Sequence, residues 1–219
     1  MRSVMSLPYL DRLDSERLAV FDKLKNFTDH FVLAGGTAIM LQIGHRKSVD
    51  FDCFTIGEKL PQNLPRKMKK VFGVSTLPYV NTSELCLFTV GKGTYIHFVA
   101  YPYPHLKTPL QTQSISLVSL TDLAANKAYT IGRRGAWRDY VDLFFLLKWR
   151  YFTLAEIISY TEKKFAGEFH DKLFLEQLTY FDDIEILPTA FLKESYTDNQ
   201  IKSYFSDEVA AYLKNILPV

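Results

Sequence analysis

The chain of 219 residues is poor in cysteine, carries no dominant sign of charge and has no long apolar run. Its two cysteines, Cys53 and Cys86, belong to no CxxC pair, so a zinc ribbon has no basis. Both sit in apolar, strand-like runs, which favours two buried free thiols in a reducing cytoplasm over one disulfide. A net charge of +2 gives no global field that would draw a nucleic acid or a membrane, so any anion site must be local. The opening MRSVMSLPYLDRLDSERL has no apolar core of signal-peptide length. No window approaches the ~20 apolar residues of a membrane helix. A cytoplasmic protein without a membrane partner is expected. Repeats, low-complexity tracts and long linkers are missing too.

What is present is an ordinary apolar content of 47% with many aromatics, 17 Phe and 13 Tyr, which fit a well-filled core as readily as an interface. Leu10, Leu13, Leu18, Phe21, Leu24 and Phe27 recur at helical spacing over residues 9–30. Phe31–Ala34 reads as a short strand, Gly35 and Gly36 as a turn, and Thr37–Ile43 as a helix stopped by Gly44. Residues 48–55 read as strand, and a short helix follows near Arg66–Val71. Gly91-Lys92-Gly93 joins Leu85–Val90 to Thr94–Tyr101 as a hairpin, closed off by Pro102 and Pro104. From Leu117 the chain is helical: Leu120–Ile131, a basic turn GRRGAWR, Trp137–Trp149, then three or four amphipathic segments over 153–217. The expected class is α+β: a mixed-sheet N-terminal domain over 1–116 and an all-helical domain over 117–219.

The stretch FVLAGGTAIMLQIGHRKSVDFDCF carries the chemistry. On a strand, Asp50 and Asp52 share one face, with Cα atoms about 6.5–7 Å apart. Two ionised carboxylates aimed together beside a core are costly. A divalent cation removes that cost, with phosphates completing its oxygen shell. An exposed edge strand with solvated aspartates is the plainer account of D-x-D alone. The preceding strand, glycine pair and helix start at Thr37 form a place where backbone N–H groups can cradle phosphate. Arg46 could neutralise phosphate charge and Ser48 could bond a phosphate oxygen, or His45-Arg46-Lys47 could be a solvated basic turn.

GGTAIMLQIGHRKSVDFDCF resembles the N-terminal signature of the abortive-infection AbiEii family of nucleotidyltransferase-like toxins, of the polymerase-β-type superfamily. DLAANKAYTIGRRGAWRDYVDLFFLL resembles that family's second block, and the two span roughly residues 30–150. The resemblance implies a nucleotidyltransferase-like fold and a triphosphate contact for Lys127. That lysine is the charged member of an apolar stripe with Leu123, Ala124, Ala128 and Ile131; without the resemblance, snorkelling to solvent explains it equally well. Asp142 interrupts an apolar helix and needs a partner: Arg138 one turn earlier, or Lys127. Asp139 is the neighbouring candidate, expected to be more exposed.

The resembling family often carries a third carboxylate on the strand TYIHFVAYPY, at the position of His97. That histidine could act as a base or be a packed strand residue. The implied function is transfer of a nucleoside monophosphate from an NTP, with Mg²⁺ or Mn²⁺ on Asp50 and Asp52, to an acceptor such as RNA. Gly35, Gly36, Thr37 and Lys127 would hold the phosphates, and the helical half would cover the nucleotide. A toxin role with a cognate antitoxin goes with the resemblance. Arg66, Lys67, Lys69, Lys70, Arg133 and Arg134 offer basic patches, which ordinary solvated surface also explains. The alternative is a catalytically inactive module of the same fold.

Overall fold

A computed structural model describes residues 6–55, 57, 59–73 and 77–216. The chain separates into two compact units, Met1–Ser119 and Leu120–Val219.

In the first unit five strands form one mixed sheet: β1 (Phe31–Ala34), β2 (Phe51–Thr55), β3 (Pro78–Asn81), β4 (Leu85–Val90) and β5 (Thr94–Val99). Their spatial order is β1-β2-β5-β4-β3, with β2 and β5 parallel and every other neighbouring pair antiparallel. Burial alternates along β2, β4 and β5, while all four residues of β1 are buried. Phe51, Cys53, Cys86, Phe88, Ile96 and Phe98 are buried on one face, and the register sets Phe98 between Cys53 and Cys86. Phe98 meets the rings of Phe31 at 4.7 Å and Phe27 at 5.4 Å. The opposite face presents Asp52, Phe54, Leu87, Tyr95 and His97, which are partly or fully exposed. Both cysteines are free and buried, as their apolar neighbours require. Burial pushes the Cys86 thiol up to about 11.

Helix α1 (Ser15–Lys23) is capped by Asp14, whose carboxylate accepts from Arg17 N–H at 2.9 Å. The long helical pattern over 9–30 resolves into α1 flanked by two short 3₁₀ turns. Helix α2 (Gly35–Ile43) ends at Gly44, whose φ of +65° closes the helix with N–H on Met40 C=O at 2.8 Å. Helix α3 (Leu64–Phe72) buries Leu64 and Met68, with a basic outer side.

The second unit is helical: α4 (Leu120–Arg134), α5 (Trp137–Lys148), α6 (Leu154–Lys164), α7 (Asp171–Gln177) and α8 (Asp198–Ile216). Gly132 and Arg133, expected in a turn, lie inside α4; the side chain of Arg134 is outside the described residues. Helix α5 is buried on nearly every side, and Tyr140, Phe144 and Phe145 pack against Tyr196, Tyr204 and Phe205. Much of the aromatic surplus is therefore core. Helix α6 opens with a capping box of Thr153 and Glu156. Among the described residues no helix is long and apolar enough to cross a membrane.

Candidate active site

The residues singled out above fall into two charged clusters, one in each unit. In the first unit, the glycine pair forms the opening residues of α2 rather than a turn ahead of it. Gly35 has φ of +68°, and a Cβ placed there would fall 1.9 Å from Asp52 Oδ2. A Cβ on Gly36 would fall 2.5 Å from Arg46 Nη2 and 3.1 Å from Ser48 Oγ. The missing side chains thus let a carboxylate and a guanidinium lie against the first turn. Ala34, the N-cap, supplies no side-chain acceptor. The first-turn N–H groups and the helix dipole favour negative charge there, whether from Asp52 or from a bound anion.

Thr37 is fully buried. Its hydroxyl donates to Asp50 C=O at 2.5 Å, with Ser48 Oγ at 3.0 Å. Its side chain therefore ties the segment before β2 to α2. Arg17 holds the same segment from α1, donating Nε–H to Val49 C=O at 3.3 Å. Asp50 lies one residue ahead of β2, so the strand is shorter at this end than the expected 48–55. Arg46 is 5% exposed and donates Nη1–H to Lys47 C=O at 3.1 Å.

The β2–β5 register sets His97 directly beside Asp52, and Nδ1 lies 2.9 Å from Asp52 Oδ1. The strand histidine is thus on the open face. Its bond to Asp52 holds the imidazole pKa above its ordinary value of 6.5; burial opposes this, and the charges of Asp52 and Asp50 reinforce it. Both aspartates therefore act on the ring. Among the described residues no group of three or more His, Cys, Asp and Glu side chains is arranged to hold a metal ion. Asp50 and Asp52 offer hard anionic oxygens of the type Mg²⁺ and Mn²⁺ prefer, and His97 on Asp52 Oδ1 has the form of an outer partner orienting a carboxylate. The donor chemistry fits a cation that takes its other ligands from phosphate.

In the second unit, Lys127 Nζ lies 2.6 Å from Asp139 Oδ1 and 2.6 Å from Asp142 Oδ2. Asp142 pairs with Lys127, while Arg138 is exposed. Asp139 is 8% exposed, not solvated as expected. Three-residue spacing brings it to the same side of α5 as Asp142, a signal available in the sequence. A second buried pair went unforeseen: Lys164 Nζ lies 2.6 Å from Asp122 Oδ1, with both side chains fully buried. Lys164 continues the buried stripe of Leu154, Ile157 and Thr161 at helical spacing, a signal that its charge masks. Arg133 is neutralised on the surface by Glu168 at 3.2 Å.

A curated relative, an uncharacterized protein of Aquifex aeolicus (strain VF5), is 28% identical over 213 residues, 93% of this chain and 99% of its own. The crystal structure of JHP933 from Helicobacter pylori matches with a TM-score of 0.57 at 18% identity, covering 93% of this chain and 94% of its own. The nucleotidyltransferase toxin MenT4 of Mycobacterium tuberculosis H37Rv matches with a TM-score of 0.56 at 12% identity, covering 89% and 81%. At these identities the structures speak for fold, and the fold is nucleotidyltransferase-like. The family model described as "Nucleotidyl transferase AbiEii toxin, Type IV TA system" matches residues 19–101 and 88–217. With both units matched, the chain belongs to the AbiEii nucleotidyl transferase toxin family.

Proposed function

We propose that the protein transfers a nucleoside monophosphate from an NTP to an acceptor hydroxyl, RNA being the acceptor class, as the toxin of a toxin–antitoxin or phage-defence pair in the cytoplasm. The observation that carries this is Asp52 seated on Gly35 at the start of α2, with His97 beside it and Asp50 two residues before. Asp50 and Asp52 would hold Mg²⁺ or Mn²⁺, which would supply charge neutralisation at the triphosphate.

The acceptor oxygen forms a bond to the α-phosphorus as the bond to pyrophosphate breaks, and the hydroxyl proton is released. Placement and electrostatics carry most of such a reaction. The first turn of α2 faces phosphate with N–H groups from Gly35, Gly36 and Thr37, whose hydroxyl is already committed to the backbone. Arg46 and Ser48, packed against Gly36, supply a cation and a hydroxyl at the same place. His97, protonated below its raised pKa, orients Asp52 and offsets its charge; it takes a proton only above that value. In the second unit, Lys127 is fixed in one position by its two aspartates, Asp139 and Asp142.

The test is incubation with Mg²⁺, each labelled NTP and total RNA, for wild type and Asp52→Ala, beside a thermal-shift series with Mg²⁺ and NTP. Labelling and a nucleotide-dependent shift in wild type, both lost in Asp52→Ala, are expected. An absence of any shift with all four nucleotides sinks the reading. It would favour the inert module, for which the occupied Oδ1 of Asp52 speaks.

A further inference from the structure

Helix α3 borders a concavity of about 640 Å³ lined by Asn26, Asn63, Arg66, Lys67, Lys70 and Val71. The lining holds three cations, two amides and no carboxylate. Among the described residues, Arg66, Lys67 and Lys70 form no ion pair. Lys67 Nζ instead sits over the Phe27 ring, 5.3 Å from its centroid. Asn26 donates Nδ2–H to Lys23 C=O at 2.8 Å, which fixes its amide. The basic residues of α4 are different, since Arg133 spends its charge on Glu168 and on the Tyr129 ring.

Three cations without an ion-pair partner line one hollow and raise the local potential well beyond what the chain's small net charge suggests. The ligand that lowers it must be polyanionic. Val71 is the one apolar member, whereas a protein partner would call for an apolar, aromatic centre. Cations mixed with amides are the set that holds phosphate oxygens along a nucleic-acid backbone.

We infer that this hollow binds the phosphodiester backbone of the RNA acceptor, an assignment that rests on the reading of the chain as transferring nucleotides to RNA. Phe27, under Lys67, packs against Phe98 on the buried face of the sheet, opposite the face of Asp52 and His97. The hollow is therefore an anchor separate from the carboxylates, and each can be removed without the other.

The experiment measures anisotropy of a fluorescein-labelled single-stranded RNA of mixed sequence over a salt series. It compares wild type, Asp52→Ala and the triple variant Arg66→Gln, Lys67→Gln, Lys70→Gln, with helicity checked by circular dichroism. Glutamine keeps helix propensity, and Leu64 and Met68 stay in place. The triple variant should bind at least about tenfold more weakly at low salt, with the salt slope reduced by about two, the loss of three phosphate contacts to a single strand. It should keep the Mg²⁺–NTP thermal shift of wild type, and Asp52→Ala should keep RNA binding. Unchanged affinity in the triple variant overturns the assignment, as does wild type that binds no RNA. Equal or tighter binding of a labelled poly-glutamate peptide also overturns it and points to an acidic protein. A missing nucleotide shift alone would count against the transfer reading and leave the RNA result standing.

Discussion

The two units solve the same problem in opposite ways. Each sets aspartates beside a basic side chain at hydrogen-bond distance. Asp52 and His97 are partly open to solvent, at 31% and 27% side-chain exposure. Asp122 and Lys164 are sealed at 0% each, and Lys127 with its two aspartates is nearly so. A charge pair reached by water can exchange partners with a ligand at modest cost. A sealed pair cannot, because removing either member strands a charge in a low dielectric. Burial thus separates what is free to react from what fixes the helices in register.

Four measurements would break or sharpen this contrast. The largest effect is expected for Lys164→Ala, which removes the buried cation 2.6 Å from Asp122 and should cost ~3–5 kcal/mol in denaturant unfolding. The double variant Asp122→Leu, Lys164→Met should recover most of it; a small loss in the single variant would mean that water reaches the pair. Next is Gly35→Ala, which strains a positive φ and drives a methyl into the Asp52 carboxylate. It should cost roughly 1–3 kcal/mol and remove labelling, while Gly132→Ala, with 3.9 Å to its nearest neighbour, should leave both intact.

The third is the titration of His97 by NMR in the protein without nucleotide. Its midpoint should lie above 6.5 and fall in Asp52→Asn. Because the folded pKa is raised, the pair's contribution to stability is complete below the unfolded value and is lost as pH rises through the folded one. A midpoint that does not respond to Asp52→Asn would dissolve the pair. The smallest effect is expected for Arg133→Gln, an exposed partner of Glu168, at about 0.2–1 kcal/mol by thermal unfolding.

Where period and punctuation agree, the architecture could be read from the chain. Phe31–Ala34, the Leu85–Val99 hairpin and the Gly44 stop fall where alternation and glycine placed them. Asp50, Asp52 and His97 were also visible, because a carboxylate pair in an apolar run demands an explanation. Their mutual placement was not, since it depends on parallel pairing of β2 with β5, which sets Asp52 beside a residue 45 positions further along the chain. The glycine pair was half legible. Glycine signals close approach, yet nothing local says that the approaching groups are Asp52 and Arg46. Lys164 stayed hidden because its partner Asp122 lies on another helix, and a lysine in a last helical turn normally faces water.

The contact between Gly35 and Asp52 also bears on how this chain can change. The volume that a side chain would fill at position 35 is taken by the carboxylate arriving from β2. The two positions therefore behave as one hereditary unit. A drifting lineage, or a designer, that enlarges residue 35 must shorten residue 52 in the same step.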